Sequence, residues 1–155
     1  MRPFTLLLAA ILVVPVRVDP ARAEPAYRPA GARFELTRPI RYETDLFGPV
    51  ILTPGYKSNG SNSPIADSEA TRLAGFLHDA LYAASGHLSF PTGRPRRWTK
   101  READRVYCNQ MRRLGAARWH AAVNCAGARS GLTGKTWRQL GWKRERRWRR
   151  WARGS

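Results

Sequence analysis

His78 and Asp79 stand side by side in an apolar run, Leu73-Ala74-Gly75-Phe76-Leu77-His78-Asp79-Ala80-Leu81-Tyr82. A base and a carboxylate in a buried stretch of helix are costly unless they are partnered. A second carboxylate, Asp104, falls in the next helical stretch, Thr99 to Leu114. One imidazole and two carboxylates on two packed helices can orient a water and hold a divalent metal. That is hydrolase chemistry.

Helical spacing assigns roles. Tyr82 lies one turn beyond His78 on the same face, while Asp79 points about 100° away around the helix. Asp104, Cys108 and Met111 share a face of the second helix. In an antiparallel pair Asp104 can meet His78 and Tyr82 together. It would hold the imidazole tautomer and leave the other ring nitrogen to take a proton from water. Asp79 would be free to hold Ca²⁺, with backbone carbonyls from the Gly55 to Pro64 loop as further oxygen ligands. The metal would polarise a carbonyl and stabilise the oxyanion. The alternative is a buried His–Asp–Tyr network that only ties two helices together. His87, in a loop, and His120, on a third helix, read as surface residues. With only three histidines the chain lacks the ligands of a metal phosphohydrolase.

These residues need a scaffold. Phe34-Glu35-Leu36, Ile40-Arg41-Tyr42 and Val50-Ile51-Leu52 are short strand candidates, separated by Pro39, Gly48-Pro49 and Pro54. They predict a small N-terminal β-meander. Helix one is expected from about Asp67 to Ser85, stopping at Gly86. Helix two opens on a capping box, Thr99 with Glu102. Helix three is expected from about Ala116 to Ala128. The fold class expected is therefore mainly α.

At the N-terminus, Arg2 precedes an apolar run from Phe4 to Val14, and Ala21-Arg22-Ala23 forms a small-x-small site. This is the pattern of a signal peptide over residues 1–23. The apolar run is shorter than the ~20 residues of a spanning helix, though a retained anchor is the alternative. Residues 24–32 read as an extended leader, 33–130 as the domain and 131–155 as a basic tail. Export to the periplasm or medium makes Cys108 and Cys125 a disulfide candidate, the alternative being two buried hydrophobes.

The chain carries 28 Lys+Arg against 11 Asp+Glu, a formal charge of +17. Such a surface favours anionic partners: phospholipid, lipopolysaccharide or nucleic acid. The tail concentrates this signal: from Trp137 to Ser155, Trp137, Trp142, Trp148 and Trp151 stand among eight basic residues and one acid. Trp137, Leu140, Arg144, Trp148 and Trp151 fall on one helical stripe. Trp and Arg together suit a membrane interface, and they also suit nucleic acid. Export favours the membrane, with the tail acting apart from the site; a solvated basic segment is the alternative.

The stretch His78-Asp79-Ala80-Leu81-Tyr82, with Asp104, Met111 and Ala121-Ala122-Val123, resembles a bacterial and phage family known as domain of unknown function 1353. The resemblance covers about residues 33–130. The helix pair is also similar to that of secreted phospholipase A2. The resemblance implies that His78 is the base, Asp79 a Ca²⁺ ligand and Asp104 the group that orients His78. Asn59 stands where the first family usually has Asp; its amide can ligate Ca²⁺ without charge, so affinity should fall. The expectation is an exported, Ca²⁺-dependent lipid ester hydrolase with a basic membrane-binding tail. The alternative is a non-enzymatic envelope- or phage-associated binding protein that keeps the fold.

Overall fold

The computed structural model describes residues 25–60, 67–93, 97–130 and 132–153. The signal-peptide reading, the retained-anchor alternative and the loop after Gly60 lie outside them. Six strands and five helices occur among the described residues, so the chain is mixed α/β rather than mainly α. The strands are β1 (Tyr27–Ala30), β2 (Arg33–Leu36), β3 (Ile40–Thr44), β4 (Gly48–Leu52), β5 (Lys57–Ser58) and β6 (Leu88–Ser89). Instead of one meander they form two antiparallel three-stranded sheets, ordered β1-β2-β5 and β3-β4-β6. The three central strand expectations hold. The additional strands are the leader segment and two dipeptides, too short to carry a period-two pattern.

The sheets pack through alternate residues. In β3, Tyr42 and Thr44 are buried while Arg41 and Glu43 face water; in β4, Val50 and Leu52 are fully buried. Tyr42 also donates its hydroxyl to Leu73 O at 2.8 Å, tying this sheet to the first helix. Burial raises the Tyr42 phenol far above its ordinary range, so it stays a donor.

Helix α1 (Glu69–Ala83) is N-capped by Ser68, whose Oγ accepts from Thr71 N at 3.2 Å. Its left-handed C-cap is Ala84, φ 45°, rather than a glycine. That conformation costs an L-residue about 1–2 kcal/mol, set against the Ala84 N–H bond to Leu81 O. Gly86 lies beyond this cap, where a Cβ would come 2.8 Å from an Arg147 guanidinium nitrogen, the end of a long side chain that can move aside. Helix α2 (Lys100–Arg113) carries the expected capping box. Just before it, Trp98 Nε1 donates to Leu81 O near the end of α1, while Ala74 near the start of α1 clusters with Cys108 and Met111. The two helices therefore run antiparallel.

Helix α3 (Arg118–Arg129) folds back along α2, and the Cys108–Cys125 disulfide joins them with Cα atoms 5.5 Å apart. Both cysteines are buried, inside a cluster with Ala74, Tyr107, Met111, Ala121 and Ala128.

The basic tail is not a free segment. It forms α4 (Leu132–Gln139) and α5 (Gly141–Ala152), and α5 packs on α1. Trp137, Leu140, Trp148 and Trp151, read in the sequence as a membrane-facing stripe, lie against the main core. Trp148 and Trp151 meet Trp98 at centroid distances of 5.6 and 5.7 Å. Only Trp142, 54 % exposed, keeps the outward position expected of the four tail tryptophans. No described helix is long and apolar enough to cross a membrane.

Two measurements check this packing. Trp148→Ala should lower the unfolding free energy by about 2 kcal/mol or more, through the cavity it leaves; urea denaturation reads this, and a solvated tail would give no change. The denatured, unreduced protein should titrate no free thiol. Cys108→Ser with Cys125→Ser should cost about 3 kcal/mol in the chain-entropy account of a loop spanning 17 residues.

Candidate functional site

The antiparallel pairing of α1 and α2 brings His78, Tyr82 and Asp104 together. Asp104, 2 % exposed, is the centre. Its Oδ1 lies 3.0 Å from His78 Nε2 and accepts from the Tyr82 hydroxyl at 2.6 Å. Its Oδ2 accepts from Lys100 Nζ at 2.7 Å, and Lys100 also donates to Ala128 O at 2.7 Å, at the end of α3. Burial by itself pushes the Asp104 carboxyl up. The hydrogen bonds from His78, Lys100 and Tyr82 outweigh it and hold the group below its ordinary range.

This partner set defines the imidazole. An ionised Asp104 can only accept, so His78 Nε2 carries the proton, and Nδ1 becomes the acceptor edge. Nδ1 carries no hydrogen bond among the described residues. The ring lies between Tyr82 and Tyr107, with centroids 4.2 and 4.6 Å away, the latter stacked. His78 keeps 9 % exposure, so it is buried but not sealed.

Asp79 occupies a second environment. Its Oδ2 accepts from Ser58 Oγ at 2.5 Å, and the backbone N–H of Asn59 also donates to the carboxylate. Gly60, φ 77°, turns the chain so that its own N–H donates to Ser58 Oγ at 3.0 Å; a Cβ here would fall 2.7 Å from Asp67 Oδ2. Burial raises the Asp79 carboxyl above its ordinary range, and His78, Ser58, Arg33 and Asn59 only partly offset it. Asp79 is thus short of positive compensation. As a Ca²⁺ site the described set offers one carboxylate, with a hydroxyl and an amide N–H aimed at it. Asn59 meets Asp79 through its backbone, and its residue surface is exposed. Among the described residues no group of three or more His, Cys, Asp or Glu gathers as a metal cluster.

Sequence reasoning missed several partners. Lys100 was detectable, since it sits four residues before Asp104 on the same helix face. Tyr107 was detectable one turn beyond Asp104. Ser58 was not, because its contact depends on how β5 meets α1. Arg144 and Trp137 were assigned to a separate tail, yet they touch the site. The Trp137 ring meets Tyr82 edge-on at 5.0 Å, and Arg144 NH1 donates to Tyr82 O at 3.0 Å while stacking 3.5 Å above Trp137. Helix α1 has no basic residue in its last turn. Arg144, 4 % exposed, supplies that positive charge from α5. The other histidines also differ from expectation. His120 is 6 % exposed rather than a surface residue, under the exposed ring of Trp119, and His87 is half-buried with Nδ1 3.1 Å from Thr53 Oγ1.

Comparison of the chain with protein-family models, with curated proteins and with solved structures returned no match.

The lowered Asp104 carboxyl has a pH signature. A carboxylate held below its unfolded value contributes stability that is present above that value and lost as pH falls through the folded one. Wild-type protein should therefore lose stability below about pH 4. Asp104→Asn should be less stable at neutral pH and show a flatter acid limb. Urea midpoints between pH 2 and 7 read both effects, and parallel acid limbs would remove Asp104 from this role.

Proposed function

We propose that this chain is an exported hydrolase of a lipid ester, phospholipase A2-like in its helix pair, with His78 as general base. The observation that carries the reading is the hydrogen bond from His78 Nε2 to a buried, multiply bonded Asp104, which leaves Nδ1 as an acceptor. In this reading Nδ1 takes the proton of a water as that water attacks the ester carbonyl. The imidazolium that forms is stabilised by Asp104, itself anchored by Tyr82 and Lys100. Tyr82 and Tyr107 fix the ring plane.

Ca²⁺ on Asp79, beside Asn59, is the electrophile of this proposal. When bound it would polarise the ester carbonyl. The under-compensated charge of Asp79 supports a cation there, while the donors from Ser58 and Asn59 already in place favour a second reading. That second reading is a basic binding protein in which the same polar network only joins α1, α2 and α3. The Cys108–Cys125 disulfide supports an oxidising compartment for either.

Fatty-acid release from mixed phospholipid vesicles, with Ca²⁺ or with chelator, separates the two. The hydrolase should release fatty acid, and His78→Asn should reduce the rate by about 10²–10⁴-fold with an unchanged circular dichroism spectrum. Chelation should abolish turnover if Asp79 holds the ion. Absence of release under both conditions, or wild-type rates in the His78 variant, would leave the binding protein as the function.

A further inference from the structure

Helix α5 has two faces. Arg144, Trp148 and Trp151 turn toward the core. Trp142, Lys143, Arg146, Arg147 and Arg150 recur at the spacing of the other face. There Lys143, Arg146, Arg147 and Arg150 line a cavity of about 220 Å³ together with Ala83 and Ala84, at the end of α1. A water takes up about 30 Å³ in the liquid, so the cavity has room for a phosphate group and accompanying water. Lys143, Arg146 and Arg147 are the cations it offers a guest, Arg150 having an interaction of its own, and among the described residues no carboxylate lines it. The C-terminal end of α1 adds about half a negative charge, small beside them, and Arg144 already bonds one of its carbonyls. Holding such charges together in a concavity has a cost that an anionic guest relieves, through charge-assisted hydrogen bonds to its oxygens. Burial and the neighbouring Arg150 both lower the Arg147 guanidinium's affinity for its proton.

We infer that this cavity binds the phosphate of an anionic phospholipid headgroup. Trp142 argues for a lipid source over free phosphate. It is 54 % exposed on the same face, and its ring lies under Arg146 at 4.2 Å and Lys143 at 5.4 Å. An exposed indole bracketed by cations suits the headgroup layer, where the ring enters the interface and the charges meet phosphate. The cavity stands apart from His78, so headgroup binding does not require the hydrolytic reading.

The test is a binding measurement on the full mature chain with two double variants of equal charge change. Lys143→Gln with Arg146→Gln alters exposed cavity residues. Arg101→Gln with Arg105→Gln alters two exposed positions on α2 as a control. Both retain good helix formers, and circular dichroism confirms folding. Co-sedimentation with phosphatidylcholine vesicles containing phosphatidylglycerol should show the cavity variant at least tenfold weaker than the control variant. The Trp142 emission of wild type should shift to the blue on binding, as measured against Trp142→Phe. Equal losses in the two variants would reduce the effect to diffuse charge and overturn the proposal. Binding of inorganic phosphate by calorimetry, with no vesicle binding, would overturn the lipid as source. Vesicle binding is read without turnover, so a failed hydrolase assay leaves this result independent.

Discussion

The buried carboxylate of Asp104 is the interaction on which the helical half of the molecule depends. It accepts from α1 through His78 and Tyr82, and from its own helix through Lys100, which reaches on to Ala128 O on α3. A carboxylate that is 2 % exposed would be strongly destabilising without such partners. With them it fixes the relative register of three helices. The same bonds that satisfy the charge also orient the imidazole, so the structural and chemical roles of Asp104 are inseparable.

Around that centre the molecule is held by contacts that span its length. Tyr42 bonds Leu73 O, and Gln110 Nε2 donates to Glu43 O at 2.6 Å, so sheet β3-β4-β6 is tied to both α1 and α2. Asp45 accepts from Asn109 at 2.7 Å and also pairs with Arg113. The disulfide closes the α2–α3 side. Part of the core is an aromatic cluster, with Phe47, Phe90, Trp98, Trp148 and Trp151 meeting edge-on or tilted.

The C-terminal helices change how the charge of the chain is understood. One cation, Arg144, is buried against Trp137 and neutralises the end of α1 beside Tyr82. Others are spent in surface pairs, such as Arg97 and Arg149 with Glu145. The remaining α5 cations line one cavity. A single basic segment therefore serves the core, the site and the surface, in proportions that net charge does not reveal.

The sequence by itself determined the features that rest on local geometry. The Thr99–Glu102 capping box set the start of α2, and 3.6-residue spacing put His78 with Tyr82 and Asp104 with Cys108. Short runs broken by Pro39, Gly48-Pro49 and Pro54 marked β2, β3 and β4. Tertiary structure decided the rest. The strands β5 and β6 are two residues each and exist only because a partner strand lies beside them. Ser58 reaches Asp79 only because β5 crosses α1. The stripe of Trp137, Leu140, Arg144, Trp148 and Trp151 was visible as a stripe, but not what covers it. Apolar burial is non-directional, and an amphipathic face gains similarly from a lipid interface or from a protein core. Here the rings of Trp98, Phe90 and Tyr82 cover it, and that aromatic surface is assembled only by the fold.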